Sequence, residues 1–204
     1  IDTSCVTAAD GKCEVNLVST VAGQTDVSAT INGTVISNSP IALNFSALAA
    51  EASQSTLSII VDDAVANGIA VNQIEAVVRD ANGNPVELAV VNFTADNSAV
   101  IDASCTTDAS GVCRVDATNT VSGQTTVSAD LAGIALSNSP VLINFTIGTL
   151  DESASIINST PSSIEADGVS TSTITVQLYD DNGNQMSVGG QTVVLSLANA
   201  IGTL

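Results

Sequence analysis

Gly123-Gln124-Thr125-Thr126-Val127-Ser128-Ala129-Asp130-Leu131 decides the fold class. Thr125, Val127, Ala129 and Leu131 fall on one side of an extended chain, and Gln124, Thr126, Ser128 and Asp130 on the other. Period-two alternation is the mark of a strand with one buried face. The same pattern occupies residues 24–31, where Thr25, Val27, Ala29 and Ile31 oppose Gln24, Asp26, Ser28 and Thr30. It appears again where Ile174, Val176 and Leu178 oppose Thr173, Thr175 and Gln177.

Two of these stretches lie 100 residues apart, and so do their surroundings. Residues 1–46 align with 101–146 without a gap, and 24 of the 46 positions are identical. Ser37-Asn38-Ser39-Pro40 returns as Ser137-Asn138-Ser139-Pro140, and Asn44-Phe45 as Asn144-Phe145. The other half of the period repeats more weakly: Asp80-Ala81-Asn82-Gly83-Asn84 returns as Asp180-Asp181-Asn182-Gly183-Asn184. The phase divides the 204 residues into the back half of one repeat (1–47), a complete repeat (51–147) and the front half of another (151–204). Such halves belong to a longer tandem array, or they find their complements in neighbouring copies.

Within the complete repeat, strands are expected at 56–61, 72–79, 88–94, 103–107, 112–118, 124–131 and 133–146, the last bent at Pro140. Asn67-Gly68, Asn82-Gly83, Ser110-Gly111, Ser122-Gly123 and Ala132-Gly133 punctuate them. Seven short strands in one repeat predict an all-β chain of tandem Ig-like antiparallel β-sandwiches.

Composition narrows the function. Twenty-one Asp and Glu face three basic residues, Lys12, Arg79 and Arg114, for a net charge of −18. A nucleic-acid binder needs a basic face, so that class is excluded, and docking on anionic membranes is disfavoured. No apolar run reaches the roughly 20 residues of a spanning helix, so membrane insertion is not expected. The chain has no His, which removes the commonest general base and the Ser-His-Asp and Cys-His arrangements. A two-carboxylate glycosidase site would want an aromatic cleft. The chain offers one Tyr, three Phe and no Trp. No enzyme is expected.

Four cysteines form two pairs of the same spacing, Cys5/Cys13 and Cys105/Cys113. Each pair brackets a turn that ends in glycine, Gly11 or Gly111. A left-handed glycine closing that turn sets residue 5 opposite 13 and residue 105 opposite 113, which predicts a disulfide in each hairpin. Disulfides imply an oxidising compartment, hence an extracellular or cell-surface location.

The remaining candidates are carboxylates. The two Asp-x-Asn-Gly-Asn stretches offer hard oxygens to calcium, but Asn-Gly between strands is ordinary turn chemistry, and the turn is the preferred reading. Asp62-Asp63 and Asp151-Glu152 are weak calcium candidates near the repeat boundaries, with a solvated acidic linker as the preferred alternative. No other cofactor is expected.

Ala166-Asp167-Gly168-Val169-Ser170-Thr171-Ser172-Thr173-Ile174-Thr175-Val176, followed by Asp180-Asp181-Asn182-Gly183-Asn184, resembles the opening of a bacterial Ig-like repeat of the invasin/intimin type. Thr107 to Gly111 and Val121 to Ala129 resemble its closing half. The resemblance implies a non-catalytic stalk module of a bacterial surface adhesin. Its partners would be neighbouring repeats of the same or another copy, with any host receptor bound by other parts of the protein. A self-assembling extracellular filament and an accessory module of a secreted hydrolase are the alternative readings.

Overall fold

A computed structural model describes residues 4–198, and the alternating stretches are its strands. Val112–Thr118 and Gly123–Leu131 bury every second side chain along most of their length. The first end segment holds β1 (Gly23–Val27), β2 (Thr30–Ile31), β3 (Thr34–Val35) and β4 (Ile41–Phe45). The central repeat holds β5 (Thr56–Val61), β6 (Ala64–Val65), β7 (Asn72–Val77), β8 (Val90–Ala95) and β9 (Val100–Ile101). It continues through β10 (Ser104–Thr106), β11 (Val112–Thr118), β12 (Gly123–Leu131), β13 (Ile134–Ala135) and β14 (Val141–Thr146). The last segment holds β15 (Leu150–Thr160) and β16 (Thr173–Asp180).

The central repeat is a sandwich. One sheet runs β5-β7-β11-β9, and the other runs β10-β8-β12-β14-β6 with β13 paired to β12. Their inner faces meet through Leu57, Ile74, Val78, Val91, Phe93, Val115, Val127, Ile143 and Phe145. Each large apolar side chain removed from water contributes about 1.5–3 kcal/mol, so this layer is the main stabilising term. Ala66, Ala76, Ala117 and Ala129 fill the narrow places between them.

Three expectations need correction. The strand expected over 133–146 is two strands, β13 and β14. Between them Leu136 turns into the core, Leu57 N–H donates to Ser137 O, and Ser137 N–H donates to Ser55 O. The chain thus reaches across to the opposite sheet before Pro140. The strand expected from residue 88 begins at Val90, because Leu88 has a left-handed φ of 60°. Two short strands escaped the sequence reading, β6 and β9, and β6 pairs parallel to β14, an exception to the antiparallel rule. Asn72 holds it there: its amide donates to Asn144 O, and its carbonyl accepts from Ala64 N–H.

The end segments keep the register of the central repeat. β1 and β4 pair from Gly23↔Phe45 to Val27↔Ile41, as β12 and β14 do from Gly123↔Phe145 to Val127↔Val141. β15 and β16 pair Ile157↔Val176 and Ser159↔Ile174, where β5 and β7 pair Leu57↔Ala76 and Ile59↔Ile74. Among the described residues, no strand of one end segment pairs with a strand of the other.

Candidate functional site

The most elaborate polar site lies where one repeat meets the next. The turn Asp80–Asn84 follows β7. Asp80 N–H donates to Asn84 O and Gly83 N–H to Asp80 O, with Gly83 at the positive φ of 84° that this turn requires. The Asp80 carboxylate is fully buried. Its Oδ1 accepts from the main-chain N–H of Asn82 and of Asn84 at 2.9 and 2.8 Å. Its Oδ2 accepts from Asn84 Nδ2 and from Leu48 N–H, both at 2.9 Å. An ionised carboxylate has about four acceptor positions, and here each has an N–H donor.

Leu48 belongs to the linker that enters the central repeat. Asn84 reaches further back. Its Nδ2 also donates to Thr20 O at 2.9 Å, and its Oδ1 accepts from Ala22 N–H at 2.9 Å. The turn of one repeat therefore holds both the loop that leads into β1 of the preceding repeat and the linker between the two.

The second joint repeats the first. Asp180, also fully buried, accepts from Asn182 N–H, Asn184 N–H, Asn184 Nδ2 and Gly148 N–H. Asn184 donates to Thr120 O at 2.9 Å and accepts from Ser122 N–H at 2.8 Å. Asn119 fixes this loop to the sandwich: it donates to Asn97 O and accepts from Val121 N–H.

The carboxylates stay ionised. Burial pushes the Asp80 pKa up, but the Asn84 side chain and the main-chain N–H groups of Leu48, Asn84 and Asn82 outweigh it and hold it at about 2. Asp180 lies below the usual range by the same balance, with burial opposed by Asn184, Gly148 and Asn182.

The cysteines sit on the flank of the first joint and of the first end segment. Cys105 is bonded to Cys113 with Cα atoms 5.9 Å apart, and Cys5 to Cys13 at 5.8 Å. The first of these bonds joins more than a hairpin. Cys105 lies on β10, paired to β8 of one sheet, and Cys113 on β11, paired to β7 of the other, so it ties the two sheets together. The tip of the loop packs beside the joint turn, on the residues that flank it: Val78 N–H donates to Gly111 O at 2.7 Å. A β-carbon on Gly111 would lie 2.5 Å from Val78 O, so only glycine fits.

The calcium candidates serve as hydrogen-bond acceptors in this structure. Asp62 accepts from Asn144 N–H and Asp63 from Asn144 Nδ2, both toward β14. Asp151 accepts from the main chain and hydroxyl of Ser153 and from Ala154 N–H. Glu152 follows it on β15. Among the described residues, no three metal-binding side chains gather at one place. No helix among them is long and apolar enough to cross a membrane.

The sequence reading placed turns at Asn82-Gly83 and Asn182-Gly183 but missed the joints. The available signal was excess: a turn needs the Asn-Gly pair, whereas both copies also keep the flanking Asp and second Asn.

A central sandwich fastened to the segment on either side by the same polar joint, at a 100-residue interval, defines the class of tandem Ig-like repeat proteins. Residues 54–146 match the bacterial Ig-like domain (group 1) family, and residues 151–204 match invasin, domain 3. The chain belongs to the bacterial Ig-like repeats of the invasin/intimin type. It is similar to the inverse autotransporter adhesin YeeJ of Escherichia coli (strain K12), 31% identical over 205 residues that cover 94% of the chain and 8% of that protein. Among solved structures it resembles invasin, described as a bacterial integrin-binding protein, with a TM-score of 0.57 and 28% identity over 89% of the chain and 37% of invasin's. It shares its fold with InvD of Yersinia pseudotuberculosis, with a TM-score of 0.61 and 17% identity over 81% of the chain and 52% of that one. The chain thus spans a small part of the adhesin and little more than a third of invasin.

Proposed function

We propose that this chain is a non-catalytic stalk segment of a bacterial surface adhesin, standing outside the cell and carrying a receptor-binding region found elsewhere in the protein. The observation that carries the reading is the joint, made twice with the same three bonds from turn to linker and loop. A stalk gains reach only if successive repeats keep a fixed relation, and a buried, fully bonded carboxylate supplies one. The composition supports a passive role, with no His and almost no aromatic surface for a ligand. The net charge of −18 keeps the exposed strand edges from pairing with other sheets.

The test is to delete residues 48–147, one joint-to-joint period, from the parent protein on living cells. The stalk reading expects antibody against the segment to label intact cells, and the distal end to stand one repeat closer to the membrane. Labelling only after permeabilisation, or an unchanged height, contradicts it.

A further inference from the structure

The two joints share their hydrogen bonds and differ where linker meets turn. The linker residue that donates to the buried aspartate is Leu48 in one and Gly148 in the other. Gly148 is not among the residues with positive φ, so its backbone does not call for glycine. Space does. A β-carbon at position 148 would lie 3.2 Å from Asp181 Oδ1 and 3.2 Å from Asp180 Oδ2. Asp181 cannot swing aside freely, because its Oδ1 accepts from Asn182 Nδ2 at 2.8 Å. The first joint has Ala81 at the position of Asp181, which removes that oxygen and leaves room for Leu48.

We propose that positions 48 with 81, and 148 with 181, are a matched pair: the size of the linker residue is fitted to the turn residue of the next repeat, and a mismatch loosens the joint. The rest of the joint reads only main-chain groups of the earlier repeat: a carbonyl at 20 or 120, and N–H groups at 22 and 48 or at 122 and 148. Those groups are common to any non-proline sequence, so they fasten repeats without telling them apart. A turn with alanine accepts a linker with a large side chain. A turn with a second aspartate favours a linker with glycine, since a β-carbon at 148 would crowd Asp181 Oδ1, the oxygen that the first joint lacks. The Asp181 turn is therefore matched to the glycine of its own linker. The proposal rests on the tandem-stalk reading and adds a packing constraint at each joint.

Amide hydrogen exchange at Ser122 reads the second joint directly, because that N–H is held by Asn184 Oδ1. Gly148→Leu should speed its exchange about tenfold while the amides of β7 and β11 stay protected. Adding Asp181→Ala should return it to the wild-type rate. In the first joint, Ala81→Asp should speed exchange at Ala22, and Leu48→Gly added to it should restore protection. If Gly148→Leu perturbs the sandwich itself, Gly148→Ala gives the same direction with a smaller step. No change at Ser122 in either variant, or a change that Asp181→Ala leaves in place, overturns the proposal. These rates report joint geometry alone, so a failure of surface labelling would strike the stalk reading and leave this result standing.

Discussion

Residues 23–45 and 123–145 share 13 of 23 residues and one backbone pattern, and they differ in what covers them. Their strand pairing is the same residue for residue. So is the turn after them: Ile36 N–H donates to Ala29 O and Ser39 Oγ accepts from Ala29 N–H, as Leu136 and Ser139 do with Ala129. Yet Val27 is 39% exposed and Val127 0%. Local sequence fixes register and turn, and burial comes from the sheet laid on top. Among the described residues, only the later copy has a second sheet, built from β5, β7 and β11, across from it. The front half teaches the same from the other side: Leu57 is 1% exposed and Ile157, its equivalent, 61%.

The largest effect that sharpens this contrast is a cavity made twice. Ile143→Ala empties a fully buried site and should cost about 2–5 kcal/mol, read as a fall in the urea midpoint of the sandwich. Leu43→Ala, at the matching but exposed position, should cost less than about 1 kcal/mol. Equal losses would mean that the two copies are buried alike.

A smaller effect separates the disulfides. Removing Cys105–Cys113 by double substitution to Ser unties two sheets and should cost the sandwich about 2–3 kcal/mol, from the entropy of the released loop. Removing Cys5–Cys13, in an exposed stretch without strands, should leave the midpoint of the sandwich unmoved. A matching loss from both would break the comparison.

The subtlest contrast is with pH. The folded Asp80 pKa is depressed to about 2 from 3.8, so its contribution to the joint is fully present above the unfolded value and fades as pH falls through about 2. Protection of the Leu48 amide, measured by exchange, should hold at pH 4 and be lost near pH 2. Asp80→Asn should lack that step. Loss of protection centred well above pH 4 would contradict the donor set described here.

How much of this the sequence displayed depends on the range of the interaction. Strands such as 112–118 and 123–131 were legible because alternation is a local property of the chain. Cysteine pairing was legible as spacing, but not that β10 and β11 belong to different sheets, which depends on partners Val91 and Ala76 far along the chain. β6 was hidden because two residues carry no period, and its place depends on Asn72. The joints were hidden for a related reason. Asn84 binds Thr20 and Ala22 through their main chain, 64 and 62 residues away, so no complementary side chain announces the contact.

The central claim is that the turns Asp80–Asn84 and Asp180–Asn184 hold successive repeats in one fixed geometry. Residual dipolar couplings of the whole chain, aligned in a dilute neutral medium, test it most directly. In the unsubstituted chain, β1 with β4, the central sandwich, and β15 with β16 should fit a single alignment tensor. Asn84→Ala with Asn184→Ala should separate them into independent tensors while the sandwich keeps its own couplings. Independent tensors in the unsubstituted chain, or a single tensor that survives both substitutions, would contradict it.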